Sequence, residues 1–191
     1  HALMLAALLR SLNVDKCDVL GISWGGAVAQ QIAFDQPDLV RKLVLAVTSA
    51  GGATSWWGSP IAVAEICFPL RYVSKSYGNF IGPWMYGGEA LLNPTLFREY
   101  SKLAIRPSIR GYYSQVVALS SWSSLPWFSR LKQPVHIICG VFDTLIPMAN
   151  QMLLATLRPD AELNVLHAGH LLMYSHRTRV GGDVRTFLEK N

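Results

Sequence analysis

The sequence is poor in charge and in cysteine, and it contains no long apolar run. Charged residues make up 15% of the 191 residues and hydrophobic residues 51%, a balance that excludes an intrinsically disordered chain. No apolar stretch reaches the roughly 18 residues that a membrane-spanning helix requires. The apolar opening of residues 1–9 lacks the basic flank and the cleavage site of an export signal. The chain is therefore predicted to form a packed domain without a transmembrane segment.

The cysteines are too few and too far apart for a disulfide framework. Cys17, Cys67 and Cys139 are odd in number, and no Cys-x-x-Cys pair occurs. Cys17 and Cys139 fall in or beside predicted strands, where a buried free thiol is expected. Free thiols predict a reducing compartment, the cytoplasm.

Signatures of cofactor and metal binding are also missing. Gly21, Gly25 and Gly26 fit neither the dinucleotide fingerprint nor the P-loop. His167 and His170 could be two metal ligands, but no third Cys, His or carboxylate lies near enough in sequence to complete a site. We therefore expect no cofactor and no metal, and no nucleic-acid partner is predicted.

The chain does contain an alternation of apolar strands and helices. Continuous apolar strands suit a parallel sheet covered on both faces, so the sequence predicts an α/β fold with a mostly parallel sheet flanked by helices. The predicted strands are Cys17–Ser23, Leu43–Val47, Val135–Cys139 and Leu163–Leu166. The predicted helices are 1–13, Gly25–Phe34, Met148–Leu157 and Arg179–Lys190.

The middle of the chain, residues 51–130, breaks this alternation. It holds fifteen of the twenty aromatic residues, and residues 51–132 carry eight basic side chains against three acidic ones. Helical patterns occur at Pro94–Ile105 and Tyr112–Leu119, and no strand pattern is clear. We therefore predict a helical lid inserted across the top of the sheet at 51–130, with the core formed by 1–50 and 131–191.

The residues Gly21-Ile22-Ser23-Trp24-Gly25 carry the strongest functional signal. They follow a predicted strand and precede a predicted helix, with Ser23 at the apex of the turn. Such a turn lifts a serine hydroxyl above the sheet and directs the backbone N–H of the next residue, Trp24, toward the same place. This would supply a nucleophile and one donor of an oxyanion hole. The two glycines of the motif are expected to be needed because strand and helix pass too close for larger side chains, and Gly26 adds room.

A serine hydroxyl needs a base, and the base needs an orienting carboxylate. In this architecture both follow the serine in the chain, each directly after a strand. Asp143 follows the third predicted strand and His170 follows the fourth. Each therefore lies in a loop at the carboxyl end of a strand, where open α/β sheets place their sites.

Other carboxylates and imidazoles fit these roles less well. Asp160 and Glu162 precede a strand and so fall at the opposite edge of the sheet. His136 lies inside a strand and is predicted to be a core residue. His167 is a rival base at the end of a strand, and His176 follows on helix-like sequence.

Basic residues recur every four positions at Arg98, Lys102 and Arg106. On a helix they would form a positive stripe, which is usually a solvated face. The alternative interpretation is attraction to an anionic surface such as a lipid-coated particle.

Together these motifs resemble the α/β-hydrolase fold, and finer features resemble the intracellular depolymerases of medium-chain-length poly(3-hydroxyalkanoates). The residues that carry the finer resemblance are Trp24, Gln30-Gln31, Lys42–Ala46, Gly111-Tyr112-Tyr113 and Asp143–Pro147. The resemblance runs along most of the chain but is loose in the insertion. In that family a strand-rich N-terminal portion carries a His-Gly loop that completes the oxyanion hole. The chain is therefore expected to be a C-terminal fragment that lacks those strands, exposes a sheet edge and lacks the second oxyanion donor.

The resemblance implies a serine ester hydrolase without a cofactor that acts on poly(3-hydroxyalkanoate) or related 3-hydroxyacyl esters, with a polymer-granule surface as a partner. The aromatic insertion, with Trp56, Trp57, Trp84, Trp122 and Trp127, is expected to form a lid or groove for an apolar chain. Two alternatives share the fold, a broad carboxylesterase and a hydrolase of carbon–carbon bonds. Two others lack catalysis, a ligand-binding homologue and a scaffold at a particle surface.

Overall fold

A four-stranded parallel sheet flanked by helices forms the centre of the molecule. The computed structural model describes residues 1–52, 55–105 and 107–190. The strands, in the order in which they neighbour each other, are β1 (Cys17–Ile22), β2 (Val40–Ala46), β3 (Val135–Gly140) and β4 (Glu162–Leu166). The helices are α1 (Ala2–Ser11), α2 (Trp24–Asp35), α3 (Pro60–Cys67), α4 (Lys75–Tyr86), α5 (Glu89–Leu92), α6 (Pro94–Leu103), α7 (Ile109–Ser121), α8 (Ala149–Leu157), α9 (Leu172–Ser175) and α10 (Arg177–Glu189). This confirms the predicted fold class.

The two central strands are the most apolar and the most buried. Every residue of β3 is buried, and in β2 only Arg41 is exposed. One apolar cluster joins one face of the sheet to α1, α2 and α8, while a second joins the other face to α9 and α10. Burial on both faces explains the continuous apolar runs Leu43–Ala46 in β2 and Ile137–Cys139 in β3. In contrast, β1 is an edge of this sheet, and its Leu20 and Ile22 each keep 41% of their surface exposed.

The prediction that both strand cysteines are buried is confirmed for Cys139 and wrong for Cys17. Cys139 on β3 is fully buried, and burial raises the pKa of its thiol to about 11. Cys17 was predicted to be buried too, but it begins the edge strand β1 and is partly exposed. The apolar pattern of the sequence does not distinguish a central strand from an edge strand, because that depends on which strands pair.

The regular elements described in the middle of the chain are helices joined by short loops. Side chains cap four of its helices: Ser59 accepts from Ala62 N, Ser74 from Tyr77 N, Asn93 from Thr95 N, and Ser108 from Gly111 N. Two of these helices, α3 and α6, also begin with proline, which suits a first helical turn. Short 3₁₀ turns occur at Leu70–Tyr72 and Phe128–Arg130. The division into a core and a lid insertion nevertheless stays a prediction.

The basic stripe is shorter than its spacing predicts. Helix α6 ends at Leu103 instead of Ile105, so it carries Arg98 and Lys102 only. Arg106 lies outside the described residues, as do Ala53 and Thr54 of the glycine-rich opening of the insertion. Within 1–52, 55–105 and 107–190, none of the helices combines the length and the apolar character needed to cross a bilayer.

Candidate active site

The turn between β1 and α2 holds Ser23 in a strained backbone conformation. Its φ is +53° and its ψ is −122°, values that cost a residue other than glycine about 1–3 kcal/mol. Three hydrogen bonds hold it there. Ser23 N donates to Ala46 O at 2.9 Å, and Ser23 O accepts from Gly26 N at 2.9 Å and from Thr48 Oγ1 at 2.7 Å. The strain is therefore balanced by contacts to the helix and to the end of the neighbouring strand.

The glycines around Ser23 do not all serve the same purpose. A Cβ atom on Gly21 would lie 2.6 Å from Ala29 Cβ, as the predicted close approach of strand and helix requires. On Gly26 it would lie 2.7 Å from Thr48 Cγ2 and closer still to Thr48 Oγ1. On Gly25 it would meet open space. The prediction that Gly25 is needed for close packing was therefore wrong, and Gly26 makes the second tight contact instead.

Replacement of Gly26 by alanine should consequently affect stability and turnover differently from replacement of Gly25. Gly26→Ala must displace Thr48 and its hydrogen bond to Ser23, so we expect the unfolding free energy to fall by about 1–3 kcal/mol and ester turnover to fall with it. The matched variant Gly25→Ala should leave stability unchanged or raise it by up to about 1 kcal/mol, since alanine favours a helix. Urea unfolding and turnover of a soluble ester would measure both effects. Equal losses in the two variants would contradict this account.

The structure places the imidazole of His170 between Ser23 and Asp143. His170 Nε2 lies 3.0 Å from Ser23 Oγ, and His170 Nδ1 lies 2.8 Å from Asp143 Oδ2. The Asp143 side chain is fully buried, and that of His170 is only 7% exposed. A carboxylate can only accept hydrogen bonds, so it holds the hydrogen on Nδ1 and leaves Nε2 free to accept from the serine hydroxyl.

The carboxylate is itself fixed by the loop after β3. Asp143 Oδ1 accepts from the backbone N–H of Leu145 at 2.9 Å and of Ile146 at 2.8 Å. One carboxylate oxygen is thus anchored to the backbone, and the other faces the imidazole. The loop after β3 therefore fixes the direction of the hydrogen bond between Asp143 and His170.

The remaining imidazoles lie elsewhere. His167 is exposed and contacts the Phe142 ring edge-on. His136 is a core residue beside Phe187, and burial lowers its pKa. His176 lies 3.5 Å from a Glu89 oxygen. Over the described part of the chain, no three His, Cys, Asp or Glu side chains are grouped so that they could hold a metal ion.

A cavity of about 540 Å³ opens beside Ser23 and His170. Trp56 and Trp57 line it, as expected for an aromatic groove, but the other three tryptophans do not. Trp84 is half exposed, Trp122 donates its indole N–H to Gln31 Oε1, and Trp127 stacks on Phe34. The aromatic lining comes largely from tyrosines, of which the sequence singled out only Tyr112, as part of the family resemblance. They are Tyr72, Tyr86, Tyr100, Tyr112 and Tyr174.

The end of α4 contacts both loops that carry His170 and Asp143. Tyr86 O accepts from the backbone N–H of His170 at 2.8 Å, and Met85 O accepts from Thr144 Oγ1 at 2.8 Å. Gly87 and Gly88 follow with positive φ, and a Cβ on Gly88 would collide with the backbone of Gly169. The Gly-Gly pair was a visible turn signal, but only the folded chain shows that it packs against the histidine loop.

Thr48 is a second contact that sequence reasoning missed. Besides its bond to Ser23 O, its own carbonyl accepts from Gln151 Nε2 at 2.5 Å. The preceding residue, Val47, has a φ of +45°, which is rare for a β-branched side chain. The end of β2 is thus held in an unusual conformation against the serine turn.

Comparison with known proteins identifies the family of the chain. The family model of the alpha/beta hydrolase fold matches residues 1–177. The chain belongs to the α/β hydrolase fold family. This α/β hydrolase chain is 36% identical, over 99% of its length, to a poly(3-hydroxyalkanoate) depolymerase of Ectopseudomonas oleovorans, of which it covers 66%. It is 24% identical, over 92% of its length, to a 2-hydroxy-6-oxo-6-phenylhexa-2,4-dienoate hydrolase of Burkholderia cepacia, of which it covers 64%.

Solved structures of α/β hydrolases share the fold of the chain. The crystal structure of a hydrolase from Pseudomonas aeruginosa PA01 superposes with a TM-score of 0.80 at 26% identity, covering 99% of this chain and 71% of that one. The chain spans about two thirds of the length of the curated relatives that it matches. These relatives are named as hydrolases, and the resemblance to poly(3-hydroxyalkanoate) depolymerases is confirmed.

Proposed function

We propose that the protein is a serine ester hydrolase in which Ser23, His170 and Asp143 form the catalytic triad. The observation that carries this proposal is the hydrogen-bonded row of the three side chains. His170 Nε2 lies 3.0 Å from Ser23 Oγ, and His170 Nδ1 lies 2.8 Å from Asp143 Oδ2. Ser23 Oγ attacks the ester carbonyl while His170 Nε2 takes its proton, and the Asp143 carboxylate stabilises the resulting imidazolium. His170 then protonates the leaving alkoxide. In the second half of the reaction His170 activates a water molecule, which releases the acid and restores Ser23.

The oxyanion of the tetrahedral intermediate is proposed to bind at the start of α2. Trp24 is the first residue of that helix, so its backbone N–H has no acceptor within the helix. The positive end of the helix dipole favours a negative charge there. A second donor would complete the hole, and no cofactor takes part.

Medium-chain poly(3-hydroxyalkanoate) or related 3-hydroxyacyl esters are the proposed substrates. The apolar cavity and the 36% identity to a poly(3-hydroxyalkanoate) depolymerase support this choice. In this proposal residues 51–130 are a lid over the core, and the protein is cytoplasmic. Its partner would be the surface of a polymer granule, which suits the exposed apolar side chains of the lid, among them Phe68, Phe80 and Leu92.

The relative that cleaves 2-hydroxy-6-oxo-6-phenylhexa-2,4-dienoate favours a second candidate, a hydrolase of carbon–carbon bonds on the same frame. A broad carboxylesterase is the third. Rates on a short ester, a medium-chain ester, a polymer suspension and a vinylogous 1,5-diketone would separate them. We expect the medium-chain ester and the polymer to be cleaved fastest.

A fluorophosphonate probe tests whether the site is catalytic at all. It should label the chain at Ser23 and leave the His170→Gln variant largely unlabelled, because the hydroxyl then lacks its base. No labelling of either protein would favour a binding homologue or a surface scaffold, and equal labelling would show that His170 is not the base. Mass spectrometry of the labelled peptide identifies the serine.

A further inference from the structure

A buried guanidinium lines the same cavity as Ser23 and His170. Arg71 lies in the 3₁₀ turn after α3, and its side chain is only 9% exposed. Most of the lining around it is apolar or aromatic. Burying a charge is costly unless hydrogen bonds and a counter-ion compensate it, so its partners are informative.

The partners of Arg71 do not use all of its donors. Nη1 donates to Glu65 O and lies 3.5 Å from Glu65 Oε2, while Nη2 donates to the Tyr112 hydroxyl at 3.3 Å. Nε is buried and has no hydrogen-bond partner in the described chain. A guanidinium offers five N–H donors in a planar fork that matches a carboxylate. Here the fork is only loosely occupied.

The nearest carboxylate is largely engaged by other groups. Glu65 Oε1 accepts from the Tyr77 hydroxyl at 2.6 Å, and Glu65 Oε2 accepts from the backbone N–H of Arg71 at 3.4 Å. The ion pair therefore lacks the short two-pronged contact that neutralises an arginine most effectively. A buried positive charge remains partly available at the cavity wall.

Besides Glu65, the groups described around Arg71 are tyrosine side chains. Its guanidinium carbon lies 4.5 Å from the centre of the Tyr72 ring and 5.5 Å from that of Tyr112. Burial raises the pKa of Tyr86, Tyr100 and Tyr112, so their hydroxyls stay protonated near neutral pH. The Tyr112 hydroxyl already donates to Ile66 O at 2.9 Å. The hydroxyls of Tyr86 and Tyr100 therefore remain beside the guanidinium as donors for an anion with oxygen acceptors.

We propose that Arg71 binds the free carboxylate of a substrate whose scissile ester lies at Ser23. Acid-terminated oligomers of 3-hydroxyalkanoates carry both groups in one molecule. The inference rests on the proposed function and narrows it, because it makes short acid-terminated oligomers the preferred substrates over neutral esters. Arg71 would then determine specificity and position the chain, without acting on the reacting bond.

The test compares a 3-hydroxyoctanoate dimer with its terminal carboxamide, which has the same shape but no charge. Wild-type protein should prefer the acid in kcat/KM, and Arg71→Lys and Arg71→Met should lower the acid-to-amide ratio by about 10-fold or more, the loss expected for a hydrogen bond to a charged group. The double variant Glu65→Gln/Arg71→Met should lower the ratio equally while avoiding an unpaired buried carboxylate. The control Arg110→Met removes an exposed positive charge of α7 and should preserve the ratio.

The same pair of ligands can be titrated by tryptophan fluorescence, since Trp56 and Trp57 line the cavity. The acid should bind more tightly than the amide, and the preference should vanish in the Arg71 variants. Equal losses for acid and amide would show that Arg71 only joins lid helices and would overturn the proposal. An absent preference in wild-type protein would overturn it too. If Ser23 is not labelled by fluorophosphonate but the acid still binds preferentially, the proposed function fails, and of this inference only the binding of a carboxylate by Arg71 stands.

Discussion

Ser23→Ala is expected to lower kcat for ester hydrolysis by about 10⁴- to 10⁶-fold, because removal of a triad nucleophile leaves only the contribution of binding and of the oxyanion site. The fold should survive. Ser23 is held through its backbone, and its hydroxyl contacts only His170 among the hydrogen bonds described for this side chain. The backbone strain of a φ of +53° at position 23 is also no greater for alanine than for serine.

Turnover of p-nitrophenyl octanoate by Ser23→Ala measures this loss, and far-ultraviolet circular dichroism checks the fold. The matched control is Ser114→Ala, which removes an exposed hydroxyl of α7 that bonds only to the Arg110 carbonyl of the same helix. Its turnover should equal that of wild-type protein. If Ser23→Ala retained more than about one tenth of the activity, a loss of only about 1.4 kcal/mol, Ser23 would not be the nucleophile.

Asp143→Asn should lower kcat by about 10⁴-fold while the loop keeps its shape. The backbone N–H groups of Leu145 and Ile146 need an acceptor, so they will bind the amide oxygen of the asparagine. Its NH₂ group then faces His170 Nδ1 and forces that nitrogen to accept. The hydrogen moves to Nε2, which can no longer take the proton of Ser23.

A neutral substrate and steady-state kinetics measure the effect of Asp143→Asn. Asp160→Asn serves as its control, because Asp160 is exposed and binds Arg158 at the opposite edge of the sheet, where Arg158 lowers its pKa to about 2. That variant should keep wild-type activity. A loss below about 10-fold for Asp143→Asn would be too small for a tautomer switch and would assign the orienting role to another group.

Much of the fold and of the candidate site could be predicted from local patterns. The strand–turn–helix around Ser23 and the positions of Asp143 and His170 just after strands follow from chain order and from where parallel strands end. Contacts between segments that are far apart in the sequence cannot be predicted from such local patterns. The sequence could not show that Thr48 packs on Gly26, because that contact depends on the register of β1 and β2.

The lining of the cavity was the least predictable part. Tryptophan content indicated an aromatic insertion, yet whether a ring faces the cavity or the surface depends on how the helices pack. Trp84 and Tyr86 are two residues apart on α4, and only Tyr86 reaches the cavity. Arg71 was counted merely as one of eight basic residues, since a sequence does not show which charges become buried.

The attachment of α4 to the acid and base loops has a consequence for inactivation. Because Tyr86 O holds the backbone of His170 and Met85 O holds Thr144, mild heat or denaturant that loosens α4 will misplace the imidazole while the sheet remains intact. Loss of activity should then precede global unfolding. We therefore expect the lifetime of the active protein to depend on one helix end, which lies outside the two apolar clusters that pack on the sheet.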